Sequence, residues 1–128
     1  MLSIHNARAG VFSSPATRTD GTSSNPLALP EGAHLRLEPS LKIASLHLPK
    51  LTRMIAEAAQ RYGIYVCLHG PNIGFYGQDP TPLIAEGKPN PYTAPDGGYF
   101  EGKDPATLMA DFPWQHLQLL KMELHGNP

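Results

Sequence analysis

Pro49-Lys50-Leu51-Thr52-Arg53-Met54-Ile55-Ala56-Glu57-Ala58-Ala59-Gln60-Arg61-Tyr62-Gly63 runs directly into Ile64-Tyr65-Val66-Cys67-Leu68, and these two neighbouring runs decide the fold class. In the first, Leu51, Met54, Ile55, Ala58, Ala59 and Tyr62 recur at the i, i+3, i+4, i+7, i+8, i+11 spacing of one helical face. Pro49 suits a first turn, and Gly63 suits the left-handed position just past a helix end. The spacing predicts one main amphipathic helix over about 49–62. Burial of Leu51, Met54 and Ile55 contributes roughly 1.5–3 kcal/mol each before entropy is subtracted, so this face is expected to anchor the core. The second run is β-branched and aromatic. It leads into the turn chemistry of His69-Gly70-Pro71-Asn72 and a second strand pattern, Ile73-Gly74-Phe75-Tyr76-Gly77, which together predict a β-hairpin.

Working outward, His34-Leu35-Arg36-Leu37 alternates as a strand with Leu35 and Leu37 inward and Arg36 facing the other way. Residues 13–32 are rich in Ser, Thr, Pro, Gly and Asn and predict a long loop. A second long loop is expected over 78–103, where Pro80, Pro82, Pro89, Pro91 and Pro95 argue against regular structure. Asp104 and Pro105 mark the N-cap and first residue of a short helix that ends before Pro113. Trp114 to Leu124 satisfies both periods in part and is read as a strand. The sum is an α+β fold: a small antiparallel sheet, one main helix and long ordered loops.

At 128 residues the chain has room for one core, so residues 1–128 are read as a single domain or the carboxy-terminal portion of a larger one. A net charge of −1, with the 10 Lys and Arg residues scattered, lacks the electrostatic footprint of a nucleic-acid partner. No apolar run approaches the roughly 18 residues of a membrane span, and no membrane insertion is expected. Cys67, the single cysteine, forms no intrachain disulfide and gives no clue to compartment. The amino terminus has no signal-peptide pattern.

Candidate catalytic residues come from loop carboxylates and histidines. Asp20, Asp79 and Glu101 lie in predicted loops, where acid–base groups are often carried, while loop aspartates also close turns. His34 and His69 are candidate partners for them, and Cys67 and His69, two apart in a strand, share a face with Tyr65. The six histidines lack the spacing of a helical zinc site. No cofactor is predicted, and calcium or zinc held by residues assembled in space is left open. Tyr92, Tyr99 and Phe100 sit in loop sequence, where they either stack on sugar rings or pin the loop to the domain. They and Arg36 form the candidate ligand-binding set.

The phrases Leu29-Pro30-Glu31-Gly32-Ala33-His34-Leu35-Arg36-Leu37, Ala56-Glu57-Ala58-Ala59-Gln60-Arg61-Tyr62-Gly63, Ile73-Gly74-Phe75-Tyr76-Gly77-Gln78-Asp79-Pro80-Thr81-Pro82 and Phe112-Pro113-Trp114-Gln115-His116-Leu117 add up to a resemblance. From about Ala7 to Leu124 the chain resembles the carboxy-terminal part of a family of larger, mostly exported, actinobacterial-type proteins with no assigned activity. The resemblance implies an extracellular location and a missing amino-terminal half, so the chain reads as a truncated or separately started version. The expected function is a binding or structural module of an exported bacterial protein that engages carbohydrate or another small molecule. The alternative is a hydrolase of glycosidic, ester or lactone bonds. Self-association through strand edges exposed by truncation is a third expectation.

Overall fold

The computed structural model describes residues 1–127. In chain order the elements are β1 (Leu2–Ile4), β2 (Val11–Ser13), β3 (His34–Leu37), α1 (Lys50–Arg61), β4 (Ile64–His69), β5 (Gly74–Phe75), α2 (Thr81–Ala85), α3 (Pro105–Ala110), β6 (Leu117–Leu119) and β7 (Leu124–Gly126). The fold is α+β with one main helix. Five strands form a sheet in the order β5-β1-β4-β3-β6, and β2 and β7 form a separate antiparallel pair. Three pairings in the larger sheet are antiparallel, while β1 and β4 run parallel. That parallel pair is possible because the long crossover between them, which includes β3 and α1, returns the chain to the same end of the sheet.

The expected hairpin does not form. β1 lies between β4 and β5, so Leu2 faces Val66 on one side and Phe75 on the other. The 70–73 turn therefore spans two interstrand gaps, about 9.5 Å at the usual spacing. Ser3 Oγ, buried beneath that turn, donates to the Asn72 carbonyl at 3.2 Å, and Gly70 N donates to Ile4 O at 3.0 Å. A turn signature between two strand-like runs reports only that the chain reverses, and a third strand inserted from elsewhere leaves no local trace.

Leu35 and Leu37 point inward and are buried, as alternation predicts. With Leu2, Ile4, Ile64 and Val66 they form the sheet's share of the core, which Ala56, Ala59 and Phe112 complete. The helix bounds agree with the sequence, but its buried face is rotated. Thr52, Ala56 and Ala59 are the buried positions, whereas Met54 is 41% and Tyr62 68% exposed. Small side chains let the helix axis approach the sheet closely, and Thr52 Oγ1 turns its hydroxyl inward to donate to the Leu108 carbonyl at 2.7 Å. Leu51 and Ile55 flank this contact and are half-buried.

Gly63 ends α1 with φ +81, and a Cβ there would strike the His34 imidazole. The helix start has no local side-chain cap. Glu101 supplies one from 51 positions away, its Oε2 accepting from Lys50 N at 3.1 Å. The 78–103 stretch is more regular than expected, with the short helix α2 and a 3-10 turn at Gly98–Phe100. α3 follows its prediction, with Asp104 Oδ1 accepting from Ala106 N at 2.7 Å. The stretch from Trp114 is not one strand but a 3-10 turn, then β6 on the larger sheet, then β7 on β2.

This packing separates two kinds of substitution. Leu37→Ala should lower unfolding free energy by about 2–5 kcal/mol, because a fully buried side chain leaves a cavity. Met54→Ala should change it by less than about 0.5 kcal/mol, as expected of a surface position. Urea denaturation followed by circular dichroism checks both, and a large Met54 effect would restore the face read from periodicity.

Candidate functional site

A groove of about 960 Å³ lies between α1, the segment around β5, the 92–100 loop and α3. The rotation of α1 shapes it. With Ala56 and Ala59 against the sheet, Leu51, Ile55 and Ala58 are left to form one wall. The opposite side carries Ile73 and Tyr76, 60% and 54% exposed. Phe75, Met109 and Trp114 also line it. Phe75 stacks on Trp114 at 5.5 Å between ring centroids, and Trp114 Nε1 donates to the Met109 carbonyl at 3.2 Å. These contacts hold the aromatic wall in place.

The loop end of the groove is built around Tyr92. Its ring stacks on Phe100 at 5.2 Å and its hydroxyl donates to the Gln78 carbonyl at 2.9 Å. A Cβ at Gly77 would lie 2.6 Å from that hydroxyl, so glycine permits the closure. Asp79 also lines the groove. Its Oδ1 accepts from Thr81 N at 2.9 Å and from Thr81 Oγ1 at 2.7 Å. The Thr81 backbone N–H, followed by its hydroxyl, holds the Asp79 carboxyl below its ordinary pKa.

A second cluster sits at the end of β4. Glu31 is only 5% exposed, and its two oxygens accept from His69 N at 2.9 Å and Asp20 N at 3.1 Å. Asp20 Oδ1 also accepts from His69 N, at 3.3 Å. Two carboxyl groups thus converge on one amide, and the His69 ring lies 6.2 Å from that of His5. Burial pushes the Glu31 carboxyl up, reinforced by its hydrogen bond with Asp20, while the same hydrogen bond holds Asp20 down.

Of the residues singled out from sequence, Asp20 and His69 come together, whereas His34 and Asp79 do not join them. His34 stacks on Tyr65 at 4.1 Å, and its Nε2 lies 3.1 Å from the Tyr62 carbonyl, so it clamps the end of α1. Glu101 caps the start of that helix. Tyr92 and Phe100 line the groove, but Tyr99 does not; the Lys50 ammonium lies 5.3 Å from its ring centroid. Arg36 follows the outward alternation of β3 and lies outside the groove, its Nε buried without a hydrogen-bond partner among the described residues. Cys67 Sγ donates to the Leu2 carbonyl at 3.2 Å, not to His69. Among the described residues, no three His, Cys, Asp or Glu side chains converge as a metal site would require. Sequence reasoning missed Glu31, which reads locally as an ordinary turn residue between Pro30 and Gly32. It also missed the helix side of the groove.

No protein-family model, curated protein or solved structure matches the chain.

The acid pair predicts an unusual pH response. Because the folded-state pKa of Glu31 is raised, its contribution to stability is full below the ordinary glutamate value and is lost as pH rises through the raised one. Asp20, held down, contributes above its ordinary value and loses that contribution only at lower pH. Glu31→Gln should therefore flatten the fall in stability as pH rises above the ordinary glutamate range. Urea midpoints over that rise read the slope, and an unchanged slope would show that Glu31 ionises freely.

Proposed function

We propose that this chain is a binding module and that the groove between α1 and β5 holds a small molecule with an elongated apolar body. One observation carries the reading: a preformed concavity of about 960 Å³ whose walls are aliphatic and aromatic apart from a few polar groups at one end. That volume is at the upper end of the range usual for small-molecule sites, and such a lining is typical of them. The resemblance noted from sequence would make the chain part of an exported bacterial protein, and this context is proposed on that resemblance alone.

The loop aromatics favour an apolar ligand over a flat sugar platform. Tyr92 and Phe100 are engaged with each other, and Tyr99 packs with the Lys50 ammonium, so their ring faces already hold the loop in place. The hydrolase alternative draws its support from the Asp20–Glu31 pair beside His69, where two carboxyls of unlike ionisation meet. Against it, both carboxyls already accept backbone N–H groups, an arrangement that ties the 20–31 loop to β4.

Trp114 is the single tryptophan and lines the groove, so its fluorescence reports occupancy directly. A neutral apolar dye, N-phenyl-1-naphthylamine, should bind with energy transfer from Trp114. Ala58→Phe, at an exposed helix position on the groove wall, should weaken that binding about tenfold or more while leaving the denaturation curve unchanged. Absence of dye binding to the folded protein would overturn the reading. Turnover in a panel of glycoside, ester and lactone substrates, abolished by Asp20→Asn, would favour the hydrolase.

A further inference from the structure

Hydrogen bonding along the edge of β5 narrows the class of occupant. Met1, with its α-ammonium, and Asp79 both line the groove, so charge of one sign does not choose the ligand. The stretch from Ile73 to Pro80 lines the groove without a break. Side chains of a strand alternate between faces, so an unbroken run is a wall made partly of backbone. Tyr76 N donates to the Met1 carbonyl at 3.2 Å, which makes those two residues a hydrogen-bonded pair. Leu2 and Phe75, the next pair in register, are therefore non-hydrogen-bonded, and the N–H and C=O of Phe75 point away from β1. β5 is the last strand of its sheet, and among the described residues the N–H and C=O groups of Ile73, Phe75 and Gly77 have no partner. Proteins commonly blunt such an edge with lysine or proline, and Ile73-Gly74-Phe75-Tyr76-Gly77 contains neither.

A ligand with only apolar surface would cover these groups and leave them unpaired away from water, whereas an extended peptide offers N–H and C=O groups at the same two-residue interval. We propose that the groove takes a short peptide in extended form, which adds a strand to the free edge of β5 and directs alternate apolar side chains toward the wall formed by Leu51, Ile55 and Trp114. This rests on the reading of the groove as a ligand site and gives its elongated apolar occupant a backbone. From Ile73 to Gly77 the edge is about 14 Å long, the reach of about five residues. Phe75 is fixed by its stack on Trp114, 5.5 Å between centroids, and by the Phe112 ring at 5.3 Å, so the edge is ordered for pairing.

The probe is acetyl-Val-Thr-Leu-Thr-Val-amide, whose blocked ends carry no charge, titrated against Trp114 fluorescence of the whole chain. It should bind. N-methylation of one alternate set of its amides should weaken binding about tenfold or more, while methylation of the other set changes it less than about twofold, because only one edge of an added strand meets β5. Ile73→Pro removes an outward N–H at an exposed edge position compatible with proline, and should weaken the peptide about fivefold or more with N-phenyl-1-naphthylamine binding intact. If that variant does not fold, as read by its urea curve, the methylation pattern decides by itself. Equal effects of the two patterns, a folded Ile73→Pro variant that binds the peptide unchanged, or dye binding without peptide binding overturns the strand addition and leaves the groove reading standing. A chain that elutes as a dimer and turns monomeric with Ile73→Pro assigns the edge to a second copy and overturns it too. Failure of both peptide and dye to bind overturns the groove reading and this inference with it.

Discussion

The placement of β1 between β4 and β5 is the constraint on which the rest depends. A strand of three residues makes a parallel ladder on one side and an antiparallel one on the other. β5 is an edge strand whose single partner is β1. Its continuation is tied as well, since Tyr76 N donates to the Met1 carbonyl at 3.2 Å. The segment that carries Ile73, Tyr76 and Asp79 is thus held opposite α1 by a strand more than sixty positions earlier in the chain. Without that insertion there would be a helix and a loop but no groove between them.

The helix contributes the other wall through an economy of side-chain size. Two alanines and a threonine make the closest contact with the core, so the larger Leu51 and Ile55 are displaced to the side of the helix instead of being spent beneath it. The contact costs little in rotamer entropy, since alanine has none to lose. The hydroxyl of Thr52 is tolerated because it meets a carbonyl that would otherwise be unpaired. Packing and cavity are therefore two aspects of one choice: side chains small enough to bring the helix down leave its flanks free to line the groove.

Away from the groove, the long 13–32 loop is held by polar groups rather than by a core of its own. Arg8 pairs with Ser23 and Phe12 with Glu31 through isolated bridges, and the buried Glu31 carboxyl joins the amides of Asp20 and His69. A buried carboxyl satisfied by two backbone donors is a fastening whose strength varies with its proton. The histidine and aspartate that drew attention in the sequence belong to this fastening, which explains their proximity without requiring chemistry of them.

The sequence by itself determined the class and the local elements. The 3.6 period marked α1, Asp104 and Pro105 marked α3, and the alternation of Leu35 and Leu37 marked β3, because each depends on contacts within a few residues. Tyr92 and Phe100, singled out with Tyr99 for ligand binding, and Asp79, singled out for catalysis, do line the groove, since loops rich in proline do not place such residues in a periodic core, whereas Tyr99 and Arg36 do not. Only the tertiary structure decided which helix face is buried, because Met54 and Ala56 differ less in pattern than in the closeness of approach they allow. It alone decided that β1 separates β4 from β5, that Glu101 caps a helix 51 positions away and that Glu31 is buried beside Asp20. These features arise from pairings between distant segments, whose free energy is gained only when the whole chain has closed around them.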